Sequence, residues 1–79
     1  MRLDKYLKVS RLIKRRTVAT AACDNGRISV NGRVVKASND VKVGDKNEIA
    51  LGPRTLSVEA LLVAETVRKD DAEGMYKEI

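Results

Sequence analysis

Seven of the chain's sixteen Lys and Arg residues fall in its first sixteen positions, at Arg2, Lys5, Lys8, Arg11, Lys14, Arg15 and Arg16, with Asp4 as the single opposing charge. Seven cations against one carboxylate give that segment a net +6, and nine cations against ten carboxylates give the other 63 residues −1. A cationic cluster set apart from a near-neutral body attracts polyanions, of which nucleic acid is the commonest. The chemistry on offer is charge-assisted hydrogen bonding to phosphate, for which Arg supplies a planar fork of donors. Binding is therefore expected rather than catalysis. Asp4 fits a helix-start carboxylate that favours the dipole or orients Arg2 or Lys5 better than it fits a general base.

Other chemistries are thinly supported. There is no His and one Cys, Cys23, so neither an internal disulfide nor an ordinary zinc shell can form. No metal or organic cofactor is expected. Asp40, Asp45 and Glu48 read as solvated loop carboxylates before they read as a metal cluster, and Cys23 as a small buried residue. Trp and Phe are absent, and the aromatics are Tyr6 and Tyr76. Base stacking thus lacks its platforms, which disfavours a reader of single strands. Structured RNA needs none, because A-form helices are recognised through phosphates, 2′-hydroxyls and shape. Tyr6 is assigned to the core.

These cations must be positioned by a small α+β domain, and 79 residues leave room for one core built from Val, Leu, Ile and Ala. Leu3, Tyr6 and Leu7 recur at helical spacing, with Arg2, Lys5 and Lys8 along one flank. A turn over residues 10–14 tucks Leu12 and Ile13 inward. A second helix is expected over residues 16–24, presenting Val18, Ala19, Ala21, Ala22 and Cys23 and stopping at Gly26. Arg27 to Val30, Asn31-Gly32 and Arg33 to Val35 form a hairpin signal, with Ile28 opposite Val35 and Val30 opposite Arg33. An extended piece around Val41 and Val43, a strand with Ile49 and Leu51, and a longer strand from Leu56 to Ala64 follow. The expected division is a domain over residues 1–65 and a polar tail over 66–79 that is a short loose helix or mobile, anchored by Met75, Tyr76 and Ile79. Residues 1–20 contain no apolar run fit for a signal or membrane span, so the expected setting is the cytoplasm. A membrane-surface helix is disfavoured because its apolar face lacks Trp and Phe.

The run Arg2-Leu3-Asp4-Lys5-Tyr6-Leu7, the Arg11-Leu12 pair, Arg16 opening a helix, Gly26 to Gly32, Lys36 to Ser38 and Val43-Gly44-Asp45 occur in that order. Together, over about residues 1–51, they resemble the S-four-type RNA-binding domain, or αL RNA-binding motif. The resemblance implies two N-terminal helices packed on a small, mainly antiparallel sheet. It also implies an RNA-binding face gathering Arg2, Lys5, Lys8, Arg11, Lys14, Arg15, Arg16, Arg27, Asn31, Gly32, Arg33 and Lys36. Within that superfamily the short form, with Lys8 to Thr17 and a terminal Met75-Tyr76, resembles the RqcP-type ribosome-quality-control factors. Heat-shock ribosome-recycling proteins come next. The implied partners are large-subunit rRNA, peptidyl-tRNA and an RqcH-type factor that adds C-terminal alanine tails, with the chain a monomer off the ribosome. This superfamily's domain is also fused to RNA-modifying enzymes, but no catalytic half is visible here. The sequence departs from the superfamily at Arg15, where a Ser or Thr helix cap is usual, at a cost of about 1 kcal/mol.

Overall fold

The protein was analysed as a computed structural model, which describes residues 1–64 and 67–79. Helix α1 spans Leu3–Val9 and helix α2 spans Arg16–Asp24, so the second helix occupies the interval that the small-residue face and the glycine stop predict. Its start is bare: Arg15 is extended (φ −118°, ψ 133°) and no side chain caps the first turn. Its end is closed by a Schellman arrangement. The Gly26 N–H donates to Cys23 O (3.1 Å) and the Arg27 N–H to Ala22 O (3.0 Å), with Gly26 left-handed at φ +75°.

The hairpin follows. Strand β1 (Ile28–Val30) pairs antiparallel with β2 (Arg33–Val34), Val30 facing Arg33. Asn31 and Gly32 hold φ +53° and +83°, the signature of a type I′ turn whose twist matches the strands it joins. Strands β3 (Lys46–Leu51), β4 (Arg54–Ala60) and β5 (Tyr76–Glu78) complete an antiparallel sheet in the order β2-β1-β3-β4-β5. Leu3, Tyr6 and Leu7 of α1, Ala19 and Cys23 of α2, and Ile28 and Ile49 of the sheet form a single core with Val41 and Met75. The two helices on a small antiparallel sheet are the architecture that the resemblance implies.

Three segments differ from expectation. Around residue 40 there is no strand: Arg2 and Asp40 make one isolated bridge, Val41 is buried and Val43 exposed. The hydrogen bonds that a strand would use go instead to the chain start, with Leu3 N–H to Asn39 O (2.8 Å), Asp4 N–H to Ala37 O (3.2 Å) and Val41 N–H to Met1 O (2.8 Å). The apolar run Leu61–Ala64 is not strand either, since β4 ends at Ala60. There the N–H groups of Leu61 and Leu62 both donate to Met75 O (2.7 and 3.2 Å), which turns the chain off the ladder.

In the tail the short helix is present, and the unexpected part is an outer strand after it. Lys69–Met75 form a 3-10 helix and Tyr76–Glu78 add the outer strand β5, with Ala60 facing Tyr76. Ala72 and Met75 are buried, and the Tyr6 hydroxyl donates to Met75 O at 2.9 Å across 69 residues of sequence. Ile79, expected to anchor by its side chain, is 63% exposed and anchors through its N–H to Ser57 O (2.8 Å). Backbone bonding does what the sparse apolar residues do not. The boundary expected between residues 65 and 66 lies outside the described residues.

Candidate nucleic-acid interface

The cationic end is organised around Asp4. At the start of α1 this side chain is buried, yet the main chain beneath it offers the Lys5 N–H (2.8 Å) and the neighbouring helix offers the Thr20 hydroxyl (3.0 Å). The Arg2 guanidinium approaches through Nε and a terminal nitrogen, both at 3.3 Å, and Arg16 approaches at 3.5 Å from the first residue of α2. Burial pushes the Asp4 carboxyl upward, but hydrogen bonds from Arg2, Thr20 and the Lys5 amide, with the charge of Arg16, outweigh it and hold the group below the ordinary carboxylate value. Asp4 is therefore an anion at neutral pH, and it clamps two arginines from different elements side by side.

Those arginines keep a free edge. The side chains of Arg2 and Arg16 remain 54% and 47% exposed, and each guanidinium spends only part of its five-donor set on Asp4. The helix-start role expected for Asp4 thus extends to Arg16, twelve residues away. Thr20, which sequence reasoning missed, completes the clamp. Its signal was the i, i+4 spacing from Arg16, which puts both residues on the face of α2 that meets α1.

The remaining cations are distributed as follows. Lys5 is partly buried on α1 and Lys8 is exposed in its last turn. Lys14 and Arg15 are exposed where the connector enters α2, beside helix N–H groups that no side chain caps. Arg11 is exposed with φ +66°, a left-handed conformation that is costly for a residue other than glycine. It lines a groove of about 350 Å³ with Ser10, Asp70, Glu73 and Tyr76, so carboxylates from the tail share its surroundings. Arg27, Arg33 and Lys36 are exposed along the hairpin. The Asn31 side chain is committed inside the fold: its Nδ2 donates to Asp45 (3.1 Å) and its Oδ1 accepts the Lys46 N–H (2.9 Å). At that turn the flanking Gly32 is exposed, with open space where a Cβ would sit.

Two of the three candidate metal carboxylates, Asp40 and Asp45, have partners of their own. Asp40 pairs with the Met1 ammonium, and Asp45 accepts from the Lys42 N–H (2.9 Å) as well as from Asn31. Tyr6 and Cys23 are buried in the core, and burial raises the Tyr6 hydroxyl to about 12 and the Cys23 thiol to about 11. Among the described residues no helix is long and apolar enough to cross a membrane.

Residues 1–47, which hold both helices, the hairpin and the Asp4 clamp, match the S4 domain, and the fold and its cationic end are those of an S4-domain protein. Over 77 residues, 98% of this chain and 88% of the relative, it is 56% identical to the RQC P-site tRNA stabilizing factor of Streptococcus pneumoniae. It is 51% identical over 76 residues, 96% and 88% of the two chains, to the factor of the same name from Bacillus subtilis. The chain belongs to the family of RQC P-site tRNA stabilizing factors. A Heat shock protein 15 homolog from Haemophilus influenzae is more distant, at 28% identity over 79 residues, 99% of this chain and 60% of that one. Among solved structures, the trimeric Heat Shock Protein 15 of Vibrio cholerae superimposes with a TM-score of 0.92 at 26% identity, covering 100% of this chain and 81% of the other.

Proposed function

We propose that this protein binds the large ribosomal subunit and P-site tRNA during ribosome-associated quality control, gripping RNA backbone without carrying out chemistry. The carrying observation is the Asp4 clamp, which holds Arg2 and Arg16 together while about half of each side chain stays exposed. Two adjacent, pre-oriented forks suit successive phosphates of A-form RNA, whose base edges are out of reach. Relatives more than half identical over nearly the whole chain are named for stabilising P-site tRNA, which supports tRNA as one of the RNAs held. The finer reading is that the site comprises Arg2, Lys5, Lys8, Arg11, Lys14, Arg15, Arg16, Arg27, Gly32, Arg33 and Lys36 with the Asn31 turn. In that reading the protein touches rRNA and peptidyl-tRNA in the cytoplasm, as a monomer until bound. It works beside an RqcH-type factor and supports C-terminal alanine tailing.

With about five or six phosphates contacted, the logarithm of affinity falls against log salt with a slope of about −4 to −5. Charge reversal at Arg16 (R16E) lowers co-sedimentation with large subunits at least tenfold. Unchanged co-sedimentation rejects the reading. Purification of tagged protein from cells at low salt is expected to recover large-subunit rRNA, tRNA and a tailing factor. Recovery of empty large subunits without peptidyl-tRNA favours a recycling role instead.

A further inference from the structure

A groove of about 590 Å³ runs between the β1–β2 hairpin and the 39–45 loop, lined by Arg33, Val34, Asn39, Asp40, Lys42 and Asp45 among others. Both carboxylates have partners at the surface: Asp40, whose side chain is 63% exposed, pairs with the Met1 ammonium, and Asp45 accepts from the Lys42 N–H and the Asn31 amide. Arg33 and Lys42 are exposed and have no carboxylate within ion-pair distance among the described residues. Arg33, Lys42 and the Met1 ammonium, three cations against the two carboxylates, leave the groove a small positive excess. Its floor includes Val34, 65% exposed, an apolar surface that the fold leaves uncovered. Asn39, partly buried, contributes an amide whose Nδ2 makes one long bond to Asp40 O (3.4 Å) and whose Oδ1 has no hydrogen bond among the described residues. Arg2 bridges to Asp40, so the groove's rim adjoins the strand-like segment that carries one of the two clamped arginines.

We propose that this groove is a second RNA-backbone subsite, in which Lys42 and Arg33 take phosphates, Val34 packs against a ribose and the Asn39 amide reads its 2′-hydroxyl. An amide both donates and accepts, as does a 2′-hydroxyl, and that hydroxyl is what distinguishes RNA from DNA at a given contact. The volume lies in the range that suits one or two nucleotides. The groove would extend the grip of the helix face and confer preference for RNA. Asn39 and Lys42 then join the interface, although the sequence reading passed over both.

This inference rests on the RNA-binding reading, and the test separates the two. Full-length protein is titrated against a 20-nucleotide RNA hairpin and a DNA hairpin of the same sequence, across a salt series, for wild type, R16E, K42Q and N39A. Thermal melts followed by circular dichroism confirm that each variant is folded. K42Q is expected to weaken RNA binding about fivefold and to reduce the salt slope by about one, as loss of one phosphate contact does. N39A is expected to leave the slope unchanged while lowering the ratio of RNA to DNA affinity. If R16E weakens binding but K42Q and N39A bind like wild type, the groove is not a subsite and the RNA-binding reading stands. If R16E binds like wild type, that reading falls and the subsite falls with it.

Discussion

Replacing Asp4 by Asn separates two accounts of the cationic end. The substitution keeps the shape of the side chain but removes the anion that receives the Lys5 amide, the Thr20 hydroxyl and two guanidinium groups. Hydrogen bonds to a charged group contribute roughly 1.5–3 kcal/mol. Arg2 and Arg16 are half exposed and recover water once released, so the larger loss seen when a fully buried pair is broken does not apply. A cost of about 2 kcal/mol lowers the melting temperature by roughly 8–16 °C for a domain of this size. For RNA the two accounts give opposite signs. Counting charge, D4N raises the net charge from +5 to +6 and should tighten binding. Counting orientation, two freed arginines must be immobilised again on RNA at about 0.5–1.5 kcal/mol each, which weakens binding about tenfold. The clamp predicts weakening. Titration of folded D4N against large ribosomal subunits, well below its melting temperature, decides the matter, and affinity equal to or above wild type refutes the reasoning.

Stability should also depend on acid. Because the folded carboxyls of Asp4 and Asp40 lie below their ordinary value, the stabilisation they provide is complete above about pH 4 and is lost as pH falls through their folded values. Urea midpoints measured from pH 5 to pH 2 check this, and the D4N profile should be flatter than that of wild type. Removing the Tyr6 hydroxyl (Y6F) should cost about 1 kcal/mol and raise amide exchange across residues 69–79, because its bond to Met75 O ties the tail to α1. That carbonyl also accepts from Leu61 and Leu62, so the cost stays modest. Cys23, buried with its thiol raised to about 11, should react with iodoacetamide at pH 8 only as fast as the domain opens, and denaturant should accelerate the reaction by orders of magnitude.

What the sequence disclosed followed the range of the interactions involved. The second helix and the Asn31-Gly32 turn are local: small residues at helical spacing and two residues tolerant of positive φ specify them without outside help. The two-helix, small-sheet arrangement was legible through the ordered motifs of residues 1–51. Strand β5 was not, because its pairing with β4 depends on main-chain groups that side-chain patterning does not report, and the 3-10 helix before it offers Ala72 and Met75 to the core. The same limit applies at the site. A cluster of positive charge near the amino terminus was plain, but the convergence of Arg2, Arg16 and Thr20 on Asp4 spans sixteen residues and exists only once α1 and α2 pack. The hairpin amide of Asn31 looked available for ligand and is instead spent on Asp45 and Lys46.

The most direct test of the account is an electron cryo-microscopy map of the protein on large ribosomal subunits carrying peptidyl-tRNA. It should show Arg2 and Arg16 side by side on Asp4, with their outer edges within hydrogen-bond distance of RNA phosphates. A map in which that pair faces solvent, while another surface of the domain meets the ribosome, contradicts it.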